Sequence, residues 1–307
     1  MKILLTGAAG FIGSHTALAL QSAKHQVLGI DNLATGKTEN LDGFRGTFHL
    51  CDICDLHMLE QAFEEFRPDV VIHLAAQAAI TTAFENPQKD LSVNGIGTIN
   101  LVMLSRKYNV KKFVFSSTSA VYDENMPLWR RRLSENSPTE PNTPYGISKL
   151  AAEKYIRLFF PNHVICRYGN VYGPRQQPIG QNQVIARAMR HFMFGDDFQV
   201  FGDGDQKRDL VFVQDVANAN LLAATSEVAG TFNIASGESY SVNRVLYELE
   251  KIFDVVGYEW EHAGENDPRR KVEMDVLSAW RYLGWNATTS LASGLKSTVD
   301  WWKEKAS

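Results

Sequence analysis

Tyr145 and Lys149 stand four residues apart in the run Tyr145-Gly146-Ile147-Ser148-Lys149. On a helix, positions i and i+4 share a face, so a phenol and an ammonium would lie side by side. A neighbouring cation favours the phenolate, and the spacing predicts a Tyr145 pKa drawn down from about 10 toward neutrality. Such a group is a general base suited to the hydroxyl of a sugar or alcohol. Far upstream, Thr6-Gly7-Ala8-Ala9-Gly10-Phe11-Ile12-Gly13 carries a G-x-x-G-x-x-G pattern, one residue away from the G-x-G-x-x-G of many dehydrogenases. Glycines there permit a tight turn, let backbone N–H groups approach a pyrophosphate, and let helix and strand pack closely. The helix N-terminus that follows favours phosphate charge. Together the two motifs predict removal of hydride and proton from a secondary alcohol, with a dinucleotide bound at Gly7, Gly10 and Gly13. Asp31 lies near the expected distance of about 20 residues beyond the turn. A carboxylate there accepts hydrogen bonds from the adenine ribose hydroxyls and repels a 2′-phosphate, so NAD is expected rather than NADP. The alternative is a turn residue beside Asn32.

The elements that must position these groups alternate. Lys2–Thr6 reads as a short buried strand, followed by a helix to about Ala23 and a second strand at Gln26–Ile30. A third strand at Thr47–Leu50 precedes a helix with Leu56, Leu59, Phe63 and Phe66 on one face, ended by Pro68. Strands at Asp69–Leu74 and Lys112–Ser116 flank a helix over Leu91–Tyr108. Tyr145 opens a helix to about Phe160, and Val164–Arg167 is a sixth strand. This alternation predicts an α/β protein with a Rossmann-like, doubly wound parallel sheet. Beyond Arg167 glycine and proline punctuate the chain (Gly169, Gly173, Pro174, Pro178, Gly180, Gly202, Gly204), with further helices expected at Ser241–Phe253 and Leu291–Lys303. Loops beyond strand ends are where substrate sites form. The expected division is a dinucleotide-binding domain over 1–168, with a return segment at about 209–235, and a smaller mixed α/β substrate lobe over 169–208 and 236–307.

Composition narrows the partners. The 307 residues exceed a typical single domain, and the net charge of −4 argues against a nucleic-acid surface. No apolar run approaches the roughly 18–20 residues of a membrane span. A strand beginning at Lys2 leaves no room for a signal peptide, which points to the cytoplasm. Cys51 and Cys54 form a CxxC. Zinc commonly needs two such pairs or a CxxC with two histidines, and the third cysteine, Cys166, stands alone. A structural thiol pair and no metal is therefore expected. The basic run Arg130-Arg131-Arg132 reads as a solvated loop, with a dimer or anionic contact as the alternative.

The chain resembles the extended short-chain dehydrogenase/reductases, most closely the nucleotide-sugar epimerases of the UDP-glucose 4-epimerase group. The matching stretches run through nearly the whole chain: Thr6–Gly13, Asp31-Asn32-Leu33 with Thr35-Gly36, Cys51-Asp52-Ile53, His73-Leu74-Ala75-Ala76-Gln77, Asn94 with Gly97-Thr98, Ser116-Ser117-Thr118, Tyr145–Lys149, Arg167–Arg175 and Arg208-Asp209. The resemblance implies that Asp52 and Ile53 contact adenine and that Ala75 and Ala76 line the cofactor where bulk would clash. It implies further cofactor contacts at Phe11, Ile12, Asn32, Leu74, Gln77, Asn94 and Ser116. Thr118, Tyr145 and Lys149 take the catalytic positions, with Lys149 also bonding the nicotinamide ribose. Asn170 and Arg208 fall where the diphosphate of a UDP-sugar is held; a guanidinium can grip two phosphate oxygens at once. The implied reaction is NAD-dependent epimerisation of a UDP-hexose at C4 through a 4-keto intermediate, in a homodimer paired through Leu91–Tyr108 and the Tyr145 helix. A nucleotide-sugar 4,6-dehydratase or decarboxylase is the first alternative, and an NAD(H)-sensing protein without chemistry the second. There are two departures. Asp123 follows Tyr122 where glycine is usual. Gly264 or Glu265 stands where a further phosphate-binding arginine is common, leaving Arg269 or Arg270 as the substitutes.

Overall fold

The first strand, β1 (Lys2–Thr6), is apolar on both faces, and its Ile3, Leu4 and Leu5 are buried. A strand of that kind belongs inside a parallel sheet covered on both sides. The computed structural model describes residues 1–123, 132–178, 183–255, 260–264 and 271–306. In chain order β1 is followed by α1 (Phe11–Ser22), β2 (Gln26–Asp31), β3 (Thr47–Leu50), α2 (Leu56–Phe66) and β4 (Val70–His73). Next come α3 (Ile80–Glu85), α4 (Pro87–Leu91), α5 (Gly97–Lys107), β5 (Lys112–Thr118), β6 (Arg132–Leu133), α6 (Pro144–Phe159), β7 (His163–Tyr168) and β8 (Asn170–Tyr172). The remainder are α7 (Val184–Phe194), β9 (Val200–Phe201), β10 (Lys207–Phe212), α8 (Val213–Thr225), β11 (Gly230–Ile234), β12 (Ser239–Ser241), α9 (Val242–Phe253), β13 (His262–Ala263), β14 (Glu273–Met274) and α10 (Leu291–Ala306).

Seven strands form one parallel sheet in the order β11-β7-β5-β4-β1-β2-β3. The direction of winding reverses between β1 and β4, so the crevice beyond their C-terminal ends is the expected ligand site of such a sheet. One apolar core, with α1 and α8, covers one face of the sheet; a second, with α2, α5 and α6, covers the other. The smaller lobe has its own core, built from α7, α9 and α10 around a three-stranded sheet in the order β12-β10-β8. The Rossmann-like sheet with a mixed α/β lobe is therefore present as the sequence predicts.

The elements differ from expectation in three ways. The single helix expected over Leu91–Tyr108 begins earlier, at Pro87, and carries a π-turn over Ser92–Ile96. Leu56 is half exposed, while Leu59 and Phe63 of the same expected face are buried. Between 169 and 240 the chain contains α7, α8 and five strands that the sequence reading leaves as loop. Within this stretch β10 lies against both cores: Leu210 belongs to the lobe and Val211 to the main body. The segment around Ala279, Leu283 and Trp285 also returns to the main core.

Candidate active site

The turn after β1 is shaped by two glycines. Gly7 has φ +71°, and a side chain on it would meet the Ala75 backbone nitrogen at 2.7 Å. A Cβ on Gly13 would lie 1.9 Å from the Gly7 carbonyl oxygen. The helix start can thus sit against the strand end only because both side chains are absent. Gly10 caps α1 with no side-chain acceptor, and no acidic residue stands in the first turn. The first N–H groups of a twelve-residue helix are consequently left for an anion. This cradle fits a dinucleotide pyrophosphate. Phe11 and Ile12 occupy the first turn.

Asp31 is buried at the end of β2. Its Oδ2 accepts from Ala9 N–H at 3.0 Å and its Oδ1 from Leu33 N–H at 2.8 Å. Burial raises its pKa, and those backbone bonds act in the opposite direction. Asp31 therefore shapes the glycine turn through Ala9. Asn32 donates to Asp52 Oδ2 at 2.8 Å, and Asp52 Oδ1 accepts from Cys54 N–H at 2.8 Å. Burial pushes the Asp52 carboxyl up, but these bonds carry it below its ordinary value. The Ile53 side chain is buried beneath Gly97 of α5, leaving mainly its backbone for a ligand.

The segment after β4 is held by a buried polar network. Thr6 Oγ1 lies 2.7 Å from His73 Nδ1 and accepts from Ala75 N–H at 3.0 Å. Thr98 donates to Asn94 O, so it accepts from His73 Nε2 at 3.0 Å. Both ring nitrogens are thereby assigned in a neutral imidazole, and burial lowers the His73 pKa well below its ordinary value. Ser116 Oγ donates to His73 O at 3.0 Å. Asn94, in the π-turn, accepts from Gln77 N–H and donates to Gln77 O, both at 2.9 Å. Asn94 and Gln77 thus engage the protein with their amide groups and fix the course of Leu74, Ala75 and Ala76, all partly exposed.

Tyr145 and Lys149 lie one turn apart at the start of α6. Thr143 caps that helix by accepting from Gly146 N–H at 3.1 Å, and Pro144 sits in its first turn. A Cβ on Gly146 would lie 2.4 Å from Ala120 O. Glycine therefore lets α6 begin directly against the turn after Thr118, placing Tyr145 beside it. Lys149 is buried, with its Nζ 4.4 Å from the centre of the Phe115 ring.

The charge states correct the expectation of a lowered Tyr145 pKa. Burial pushes Tyr145 up to about 12, against the hydrogen bond with Thr118 and with a further upward push from Asp90. Burial brings Lys149 down to about 7, while Asp90 and Glu153 push it up. Desolvation is the largest influence on each of the two groups in the protein alone. A cation placed beside the phenol would draw its pKa back toward neutrality.

Asn170 opens β8 and pairs in register with Leu210, two residues beyond Arg208 on β10. The two expected diphosphate ligands are thus on adjoining strands. Arg208 Nη1 also donates to Lys207 O at 2.9 Å. Glu265, Arg269 and Arg270 lie outside the described residues, as do Gly180, Arg130 and Arg131. Cys51, Cys54 and Cys166 are all free thiols, and burial pushes Cys51 up to about 11. Among the described residues no group of three or more His, Cys, Asp or Glu side chains could hold a metal ion.

Sequence reading missed the buried supports of this site. Arg167 bonds Glu153 through Nε at 2.9 Å and Nη2 at 2.7 Å, and Ser117 Oγ donates to Glu153 Oε1 at 2.5 Å. Asp90 accepts from Gln77, Asn94 and Ser148. Glu153 shares the i, i+4 face with Lys149, a signal present in the sequence; Asp90 has no local signal.

Residues 3–235 match the NAD dependent epimerase/dehydratase family. A UDP-glucose 4-epimerase of Mycolicibacterium smegmatis is 32% identical over 315 residues, covering 100% of both chains. The structure of a UDP-glucose 4-epimerase of Thermotoga maritima with UDP-glucose matches with a TM-score of 0.93 and 38% identity, over 100% of both chains. That of a Thermus thermophilus UDP-glucose 4-epimerase in complex with NAD matches with a TM-score of 0.90 and 36% identity, over 99% of both.

Proposed function

The chain belongs to the NAD dependent epimerase/dehydratase family, and from that premise we propose that it is a UDP-hexose 4-epimerase. The reading rests on one observation above others: α6 begins against the turn that follows Thr118, which puts Tyr145 and Lys149 at the C-terminal end of β5, in the crevice that also receives the glycine turn. Tyr145 as phenolate takes the proton of the sugar 4-hydroxyl, and Thr118 hydrogen-bonds the same oxygen. Bound NAD supplies a hydride acceptor that becomes the donor on return, and a cationic ring that favours the phenolate. Lys149 bonds the nicotinamide ribose. Tyr145 then returns its proton to the oxygen of the 4-keto sugar after that sugar has presented its other face. Asn170 and Arg208 hold the diphosphate in the smaller lobe while the hexose turns. Phe11, Ile12, Asn32, Asp52, the Ile53 backbone and Leu74–Gln77 line the cofactor. Asp31 favours NAD over NADP, which a binding titration with each would check.

The family includes dehydratases, and the strand end discriminates. Loss of water across C5 and C6 needs a second acid/base pair beside Thr118, yet Ser119 and Ala120 follow it. The product should therefore equal the UDP-hexose substrate in mass, with no net NADH release. Mass spectrometry of the product tests this; a species lighter by water or by carbon dioxide would overturn the epimerase reading.

A homodimer in the cytoplasm completes the proposal. Ile96 at the end of the π-turn, Met103 on α5, and Ile147 and Leu158 on α6 are exposed apolar side chains on two helices that pack together. Seven- and eleven-residue spacings put each pair on one helical face. A second copy would cover that face and form an intermolecular four-helix bundle. Three free thiols suit a reducing compartment, and no described helix is long and apolar enough to cross a membrane.

A further inference from the structure

Asp90, near the end of α4, is 1% exposed. Its Oδ1 accepts from Gln77 Nε2 and from Asn94 Nδ2, both at 3.0 Å, and its Oδ2 accepts from Ser148 Oγ at 2.6 Å. All three partners are neutral and all three donate, so the carboxyl acts purely as an acceptor, as a carboxylate does. Among the described residues it forms no ion pair. The other buried carboxylate near the site is different: Glu153 is matched by Arg167 and by Arg157 at 2.8 Å. Glu153 is thus neutralised within its own cluster, and the negative charge of Asp90 is not. A buried charge answered by neutral donors alone is costly, which calls for a cation nearby.

Two parts of the molecule meet at this carboxylate. Gln77 and Asn94 fix the segment from Leu74 to Gln77 that lines the dinucleotide. Ser148 lies between Tyr145 and Lys149 in sequence, and its Oγ, whose one proton goes to the nearer Asp90, is also 3.0 Å from Tyr145 O. The carboxylate therefore sits at the joint between the cofactor-lining segment and the catalytic turn of α6.

We propose that Asp90 is a positioning residue of the epimerase site: its buried carboxylate ties the cofactor-lining segment to the Tyr145–Lys149 turn and supplies the unneutralised negative charge that retains the Lys149 ammonium. The inference rests on the reading of Tyr145 and Lys149 as base and partner. The charged and titratable groups around that pair are few. Lys149 faces Asp90 from α4, Glu153 from its own helix with Arg167 of β7 behind it, and the neutral His73 of β4. Tyr145 faces Thr118 of β5, Asp90, and Tyr168 of β7. Asp90 raises the pKa of both Lys149 and Tyr145, so removing its charge moves both downward.

The test is Asp90→Asn beside Ser148→Ala. Activity should rise with pH as Tyr145 ionises and fall as Lys149 loses its proton. Asp90→Asn should move both limbs of the profile to lower pH by about one unit, the size expected for one nearby charge. Ser148→Ala removes a tie and keeps the charge, so it should lower turnover without moving the limbs. A readout independent of turnover is the tyrosinate absorbance of the cofactor-free protein, taken as the difference between Asp90→Asn and Asp90→Asn with Tyr145→Phe. Tyr145 should ionise at lower pH than in the unchanged protein measured against Tyr145→Phe. Unmoved limbs and an unmoved tyrosinate titration would overturn the inference. If Asp90→Asn fails to fold, a shift of the limbs in Ser148→Ala equally counts against it. Retained activity in Tyr145→Phe alone would instead overturn the underlying reading of the base.

Discussion

Tyr145, the proposed base, is held by the protein alone in its neutral form, since burial takes it up to about 12. Its competence therefore depends on the cofactor's charge as well as on its neighbours. Tyr145→Phe should lower turnover roughly 10²- to 10⁴-fold, the usual contribution of a general base, while NAD affinity stays within about twofold; steady-state rates and a binding titration separate the two. Lys149 carries the complementary cost. Its folded pKa of about 7 lies below its ordinary 10.5, so between those values the unfolded chain binds the proton and the folded protein does not. Stability of the cofactor-free protein should accordingly rise with pH from about 7 toward 10, with the penalty fully present below 7. Lys149→Met should abolish activity and flatten this rise of stability between about pH 7 and 10, without stabilising the fold, because it leaves the buried Asp90 carboxylate without its cation. Chemical denaturation at pH 6 and pH 9 checks the pH dependence; a variant whose stability rises with pH as steeply as that of the unchanged protein would contradict it. The placing of Tyr145 and Lys149 one turn apart on one helix, and the glycine turn between β1 and α1, were legible because both are local patterns. The sign of the Tyr145 shift was not, since desolvation depends on what the fold places over the side chain.

At the scale of elements, α6 does two jobs with opposite faces. Its inner face presents Tyr145, Lys149 and Glu153 toward β5, and its outer face leaves Leu158 76% exposed. If a second copy covers that face, Leu158→Glu should convert the dimer to a monomer, as read by light scattering at micromolar concentration, while secondary structure is unchanged. A wild-type monomer under the same conditions would remove the dimer proposal itself. The strongly periodic elements of the first half were legible for the same reason that α6 was: each has one buried stripe or a short apolar run. The misses have physical causes. α8 (Val-Gln-Asp-Val-Ala-Asn-Ala-Asn-Leu-Leu-Ala-Ala-Thr) contacts α1 and the sheet on several sides, so small residues are spread around it and no single stripe marks it. β8, β9 and β12 are two or three residues long, too short for alternation to register. The π-turn at Ser92–Ile96 adds one residue to a turn of helix, which a helical period cannot reveal.

As a whole, the molecule has two cores that share two adjoining strands, β8, with Val171 against the main core and Tyr172 in the lobe core, and β10. Leu210 and Val211, neighbours on β10, face the lobe core and the main core respectively. Asp209 beside them is buried and accepts from Ser236 through N–H and hydroxyl, both at 2.7 Å, and from Gly237 and Met274 N–H at 3.1 Å. Lobe and sheet should therefore unfold together, giving one calorimetric transition whose van't Hoff and calorimetric enthalpies agree. Two separated transitions would show that the shared strands do not couple the cores.

The threading of the chain also sets a timetable for synthesis. By the time Tyr168 has left the ribosome, six of the seven sheet strands exist, and the motifs for cofactor and base have all been made. Yet the β7 edge stays unpaired until β11 arrives, and α1 waits for α8. The main core also lacks Ala279, Leu283 and Trp285 until they emerge. At ordinary rates of translation that interval is roughly 6–25 s. Throughout it the nascent chain displays an open strand edge and an uncovered sheet face, the features that invite wrong pairing. The late arrival of β11, α8 and the segment through Trp285 thus leaves the unfinished chain open to wrong pairing until synthesis has passed residue 285.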